Sequence, residues 1–180
     1  KFIIINTPNN PTGKVLKEVE LNILADVLRE YEEINLISDE IYELILKKDL
    51  RHISFAAFAK ELKDRIYTVN GFAKGWAMTG WRLGYLVGKK DVIKASSTLQ
   101  SQSTSNVCSF VQRGALAALD IKKEFFEEIN QKYDERREIL FRGLKEIKGL
   151  YIDPPNGAFY AFPKLPNKKI SSVEFCKNLL

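Results

Sequence analysis

Lys74 closes the run Asn70-Gly71-Phe72-Ala73-Lys74, and Arg82 follows eight residues later inside Gly80-Trp81-Arg82-Leu83-Gly84. Further upstream, Ser38-Asp39-Glu40-Ile41-Tyr42 sets a carboxylate and a phenol three residues apart. Asn10 stands in Thr7-Pro8-Asn9-Asn10-Pro11-Thr12-Gly13, a turn stiffened by two prolines. A shielded amine can form an imine with an aldehyde. A carboxylate facing a heterocyclic nitrogen keeps it protonated and the ring electron-poor. Amide and phenol groups can donate to an anionic ring oxygen, and a forked guanidinium suits a phosphate dianion. None of these residues is specific alone. A lysine after a strand is ordinarily surface decoration, and Asp39 would serve equally as a helix N-cap. Arg82 could be a surface ion-pair partner, Tyr42 packing at a helix start, and the Asn10 turn a plain β-turn.

The elements around these residues put them in comparable places. Residues 2–6 and 34–38 are short apolar runs, 65–70 reads as another strand, and 83–88 as a further one. Between the first two, Leu21, Leu24, Leu28 and Tyr31 recur at helical steps and give one apolar face. Strands separated by a helix and short loops imply right-handed parallel crossovers and an α/β fold, with helices on both faces of a mostly parallel sheet. In such sheets reactive groups gather beyond the carboxyl ends of the strands. Asn10, Asp39 and Lys74 each lie just past such an end, so three separate segments are expected to converge on one rim.

After residue 92 the grain changes. Residues 96–104 are polar, 107–119 are helical, and 122–148 form a long charged helix with an apolar stripe at Phe125, Ile129, Tyr133, Ile139 and Leu140. Residues 150–153 and 158–162, joined by Pro154-Pro155-Asn156-Gly157, read as a hairpin-like pair. We place a domain boundary near residue 120: residues 1–120 as part of a large domain, 121–180 as the start of a smaller α+β one. Both ends of the sequence fall inside regular elements, so the chain is expected to be a fragment.

Composition excludes several classes. The 28 basic residues alternate with 23 acidic ones, mostly on helical stretches, so the net charge of +5 describes solvated faces and no nucleic-acid stripe. No run of about 18 apolar residues offers a membrane span. Cys108 and Cys176 fit no metal or redox spacing and are expected to be buried or free thiols, and the single His52 has no neighbouring cysteine and reads as structural. No metal site is expected. Trp76, Met78 and Trp81 are assigned to packing.

The ordered set Asn9-Asn10-Pro11-Thr12-Gly13, Ser38-Asp39-Glu40-Ile41-Tyr42, and Lys74 with Gly80-Trp81-Arg82-Leu83-Gly84 resembles the class I aminotransferases of the fold-type I pyridoxal-phosphate superfamily. The stretch from Asn70 to Arg82, and Ser101-Gln102-Ser103-Thr104-Ser105-Asn106, are most similar to the bacterial-type aspartate aminotransferases; Gly157-Ala158-Phe159-Tyr160 matches a strand of that family's small domain. The resemblance implies pyridoxal 5′-phosphate as cofactor, joined covalently to Lys74, which would also shuttle the substrate α-proton. It implies Asp39 against the pyridinium nitrogen, Tyr42 and Asn10 on the phenolic oxygen, Asn10 also near the substrate carboxylate, and Arg82 on the phosphate. Some relatives carry a phosphate-binding serine where this chain has Gly71. The family's phosphate loop and ring-stacking aromatic would precede residue 1, and its substrate-carboxylate arginine would follow residue 180. Amino-acid and 2-oxo-acid substrates, a homodimer and a cytoplasmic or organellar setting follow from the same resemblance. Prephenate, aromatic or alanine aminotransferases, lyases of the superfamily, and the effector-sensing domain of certain bacterial transcription regulators stay open as alternatives.

Overall fold

Four short runs rich in β-branched and aromatic residues build one sheet in the computed structural model, which describes residues 1–165 and 170–180. They are β1 (Phe2–Asn6), β2 (Asn35–Asp39), β3 (Ile66–Gly71) and β4 (Gly84–Val87), side by side in that order. The pairs β1–β2 and β2–β3 are parallel, with Asn6 opposite Asp39 and Asp39 opposite Val69. Strand β4 departs from the parallel set: it runs antiparallel to β3, with Gly71 opposite Gly84. The physical reason lies in residues 72–83. That connection is closed at its base by the Phe72 N–H donating to the Leu83 carbonyl at 3.2 Å, so it returns the chain as a hairpin rather than carrying a helix across the sheet.

The crossover between β1 and β2 is α1 (Glu18–Glu30), started by the Glu20 carboxylate reaching back to the Lys17 N–H at 2.9 Å. Its stripe of Leu21, Ala25 and Leu28 packs on Leu36 and Ile66 of the sheet and on Phe55, Ala59 and Leu62, which come from the short helix α2 (Phe55–Phe58) and the 3₁₀ turn after it. The opposite sheet face presents Phe2, Ile4 and Val69 outward, Ile4 being 70% exposed, whereas Tyr85 and Val87 of the edge strand β4 are exposed on the α1 side.

Three further helices follow: α3 (Lys90–Ser103), α4 (Ser109–Leu119) and α5 (Lys123–Glu146), then α6 (Ser172–Leu179). The polar stretch 96–104 lies almost wholly within α3, a helix that buries no residue and whose second half carries Leu99 as its one apolar residue. On α5 the contacting face is offset from the expected stripe. Phe126 meets Trp76 edge-on, Tyr133 stacks on Phe159, and Asn130, Asp134 and Arg137 dock by hydrogen bonds, while Ile139 is 74% exposed. The expected hairpin at 150–162 is a single antiparallel bridge, Tyr151 to Lys164, because Gly157 pairs instead with Leu46. Among the described residues no helix is long and apolar enough to cross a membrane.

Candidate active site

The carboxyl ends of β1, β2 and β3 form one rim, and polar side chains tie its segments together. Asn6, the last residue of β1, uses both ends of its amide: Oδ1 accepts the Asn10 N–H at 2.6 Å and Nδ2 donates to the Asp39 carbonyl at 3.0 Å. One side chain thus fixes the Asn10 turn against the end of β2. Nothing in the pattern of a five-residue strand marks Asn6 for this, and sequence reasoning passed over it.

No helix starts at Asp39, so neither its N-cap reading nor a helical Tyr42 holds. Residues 41–44 form tight turns, with Glu43 N–H on the Glu40 carbonyl and Ile45 N–H on the Tyr42 carbonyl, both 2.9 Å. The donors that a helix would need are claimed from outside: Leu46 N–H by Asn130 Oδ1, Lys47 N–H by the Asn156 carbonyl and Lys48 N–H by Asp134 Oδ2. Asp39 Oδ1 accepts the Ile41 N–H at 3.2 Å; among the described residues its second oxygen takes no hydrogen bond.

Lys74 follows β3 by three residues. Gly75 presses on Leu44, where an added Cβ would come within 2.7 Å of Leu44 Cδ1, and this brings the lysine to Tyr42. Lys74 Nζ lies 5.9 Å from the centre of the Tyr42 ring and 5.7 Å from that of Phe159. The amine is half-buried, faces aromatic rings and has no carboxylate partner among the described residues. At the other end of the 72–83 connection, Arg82 is held in the left-handed region at φ 53, an unfavourable state for a non-glycine residue that a surrounding structure must enforce. Its Nη1 donates to the Thr79 carbonyl at 3.0 Å, and Thr79 Oγ1 in turn donates to the Ala73 carbonyl at 2.9 Å. Arg82 is thereby tied to the residue before Lys74, exposed and without a carboxylate mate among the described residues. Helix α4 braces this connection: Phe72, Trp76, Met78 and Leu83 pack with Ala115 and Ala118, and Trp76 Nε1 donates to the Ala118 carbonyl at 3.0 Å. Trp81 lies against Gly114, where a Cβ would come within 2.3 Å of its ring. Of the three residues assigned to packing, Trp76 and Met78 join this cluster, while Trp81 touches Gly114 and is otherwise exposed.

At Gly71 a Cβ would come within 2.7 Å of Gly84 Cα. The strands approach there too closely for a serine, which explains the departure noted in the sequence.

Two aromatic residues that sequence reasoning did not assign complete the surroundings. The Tyr42 hydroxyl lies 2.6 Å from that of Tyr160, and Phe159 meets the Tyr42 ring edge-on. Burial foremost, then the Tyr160 hydrogen bond and charge and the Asp39 charge, push the Tyr42 phenol far above the usual tyrosine range, with the Asn10 side chain opposing. Tyr42 therefore keeps its proton throughout the physiological range.

Directly behind Asp39, Glu40 is 1% exposed. Its Oε1 accepts from Ser38 Oγ at 2.8 Å, Ser54 Oγ at 3.1 Å and Phe55 N at 3.1 Å, and its Oε2 lies 3.0 Å from His52 Nε2. Burial works to raise this carboxyl, but the hydrogen bonds from His52 and Ser38, the His52 charge and the Ser54 hydrogen bond outweigh it and hold Glu40 below the usual value. His52 is thus held by Glu40 through Nε2, while its buried Nδ1 meets no partner among the described residues. Glu40, Glu43 and His52 sit close enough to suggest a metal triad, yet both Glu40 oxygens are already engaged. Cys108 and Cys176 are free and exposed.

The family model for aminotransferases of class I and II matches residues 1–180. The aspartate aminotransferase of Bacillus subtilis is 42% identical over 163 residues, which are 91% of this chain and 41% of that protein. Among solved structures, the aspartate aminotransferase of Rhizobium meliloti superposes with a TM-score of 0.93 at 33% identity, over 99% of this chain and 47% of that one. The aromatic aminotransferase of Pyrococcus horikoshii gives 0.92 at 36%, over 99% and 48%. The chain spans about two fifths of the length of the curated relatives it matches.

Proposed function

This chain belongs to the class I and II aminotransferases, and on that premise we propose that it carries the cofactor lysine of a pyridoxal-phosphate-dependent enzyme moving an amino group between an amino acid, aspartate first, and a 2-oxo acid. The observation that carries the reading is the gathering of the Asn10 turn, Asp39, Tyr42, Lys74 and the Arg82 loop on one rim of the sheet, with the Lys74 amine turned to the Tyr42 ring. The fit to the cofactor lies in what these groups leave free. Asp39 retains an oxygen, Arg82 a guanidinium and Lys74 an amine without partners of opposite charge among the described residues. An aldehyde bearing a phosphate and a basic ring nitrogen needs that trio.

When bound, the cofactor supplies an electron-poor ring that takes up the electron pair left as the substrate loses its α-proton. The protein's share is binding, orientation and proton handling. Lys74 Nζ would hold the cofactor and would serve as the base for the proton on the substrate α-carbon. Asp39 keeps a proton on the ring nitrogen. Tyr42, a phenol that does not ionise at working pH, donates to the ring oxygen beside the Asn10 amide. Arg82, exposed and with its guanidinium free of a carboxylate among the described residues, would hold the phosphate. The two half-reactions alternate as a ping-pong exchange. Residues 1–120 belong in this reading to the large, cofactor-holding domain and 121–180 to the start of the small one; the working form is a homodimer in the cytoplasm.

Cofactor-loaded enzyme should show a visible band that moves with pH and bleaches on adding aspartate. No band, or one that no amino acid bleaches, overturns the proposal. The likeness to the Pyrococcus horikoshii enzyme favours an aromatic amino donor as second reading, and the relative bleaching rates with aspartate and tyrosine decide between them. For Arg82→Ala, cofactor affinity should fall about 10- to 100-fold, from the loss of hydrogen bonds to a charged group. Arg82→Lys should recover only part of it, since an ammonium lacks the fork. Titration with free cofactor measures both.

A further inference from the structure

We propose that Tyr160 is a positioning residue of this site, acting through Tyr42: it donates its hydroxyl proton to the Tyr42 oxygen and so leaves the Tyr42 proton free to point at the ring oxygen. The inference rests on the cofactor reading above and adds a residue from the far part of the chain.

The geometry begins with two phenolic oxygens 2.6 Å apart, only one of which can be the donor between them. Tyr42 has a single proton to give. If it gave that proton to Tyr160, nothing would remain for an anionic acceptor in the site. With the acceptor present, the arrangement that satisfies both phenols has Tyr160 donating to Tyr42 and Tyr42 donating onward. Hydrogen bonds in such a chain polarise one another, so the first strengthens the second. The other polar groups facing Tyr42 are Asp39, Lys74 and Asn10, all on the first part of the chain.

The placement of Tyr160 is over-determined in a way a chance contact would not be. Ala158 is fully buried and sits at φ 53, a left-handed turn that redirects the chain just before Phe159 and Tyr160. Its N–H donates to the Ile45 carbonyl at 2.9 Å and its carbonyl accepts Arg137 Nη2 at 3.1 Å. Arg137 is itself paired with Asp134, whose other oxygen holds the Lys48 N–H. At Gly157 an added Cβ would come within 2.8 Å of Pro8 Cβ and 2.9 Å of Val15 Cγ2. The turns flanking Tyr42 and Tyr160 are therefore pinned to each other from both sides, and the two rings meet edge-on at 5.6 Å.

The test is the pH at which the visible band of the cofactor-loaded enzyme titrates. Losing the Tyr160 hydroxyl weakens the donation from Tyr42, destabilises the anionic ring oxygen and moves the midpoint up. Tyr160→Phe keeps the ring contacts and should raise the midpoint by about half a pH unit. Tyr42→Phe should raise it further, and Tyr160→Phe added to Tyr42→Phe should move it no more. A more acidic, fluorinated tyrosine at position 160 donates more strongly and should move the midpoint down, a reversal that mere loss of packing does not produce. An unmoved midpoint in Tyr160→Phe, an equal rise on the Tyr42→Phe background, or an upward move with the fluorinated residue overturns the inference. Absence of any titrating band in the unmodified enzyme overturns instead the cofactor reading on which it rests.

Discussion

Lys74→Ala should leave an enzyme that holds its cofactor without a covalent link and turns over at least about 10⁴-fold more slowly, the upper range for removing a positioned proton-transfer group. The lysine is asked for two things that no neighbour supplies: a nucleophilic amine for attachment and a base within reach of the substrate α-carbon. Tyr42 keeps its proton beside the Tyr160 hydroxyl, and in the proposed reading Asp39 faces the ring nitrogen. Borohydride reduction followed by denaturation and peptide mapping reads the first role: label should stay on the Lys74 peptide in the unmodified enzyme and vanish in the variant. Stopped assays read the second. Because Lys74 is half-buried and makes no ion pair among the described residues, its loss should cost little stability, and the thermal midpoint should hold within a few degrees. Turnover close to the original rate in Lys74→Ala would end the functional reading.

The second large effect falls on folding. Glu40→Leu should destabilise the protein by about 3–5 kcal/mol, because one substitution strands the Ser38 and Ser54 hydroxyls, the Phe55 N–H and His52 Nε2 without their acceptor. Against a domain stability of about 5–15 kcal/mol, that leaves little margin. Urea denaturation measures it. Glu40→Gln, which retains an acceptor oxygen, should lose less. The pH dependence follows from the direction of the Glu40 shift. Its folded carboxyl sits below the usual carboxylate range, so its stabilisation is complete above that range and is lost as pH falls through the lower, folded value. Comparing denaturation midpoints at pH 7 and in mild acid should show a loss in the parent protein that is smaller in Glu40→Leu. A Glu40→Leu midpoint equal to the parent's at neutral pH would show that the buried cluster contributes nothing net.

The candidate groups stood out in the residues because they sit in short motifs whose types and order are unusual together. The rim they share was legible because strand ends are marked by the turns that follow them. What escaped was whatever depends on contacts between distant segments. The turn after Asp39 reads as a helix start until Asn130, Asp134 and Asn156 take its amide donors. Tyr160 follows an ordinary Pro-Pro-Asn-Gly turn, and only its meeting with Tyr42, 118 positions away, gives it meaning. Strand β4 was found but its direction was not, since a strand's polarity is set by the loop that feeds it. Helix α3 was missed because its second half, residues 96–103, is almost all Ser, Thr and Gln, with Leu99 its one apolar residue. On α5 the apolar stripe was read from spacing alone, whereas the docking face is partly made of Asn130, Asp134 and Arg137, polar residues that a hydrophobic pattern ignores.

The seating of residues 155–158 on the Asn10 turn also bears on when the protein can first work. At Gly13 an added Cβ would come within 2.5 Å of Pro155, and the Gly13 carbonyl accepts both the Asn156 and Gly157 N–H groups at 2.8 Å. A chain leaving the ribosome presents Pro8–Gly13 long before their mates exist. During synthesis the lysine and the carboxylate can emerge and fold around β1–β3, but the loop beside them stays unclamped until nearly the whole of this sequence has been made. The finished geometry of the Pro8–Gly13 turn is thus a late event, timed by translation of the distal segment rather than by formation of the sheet.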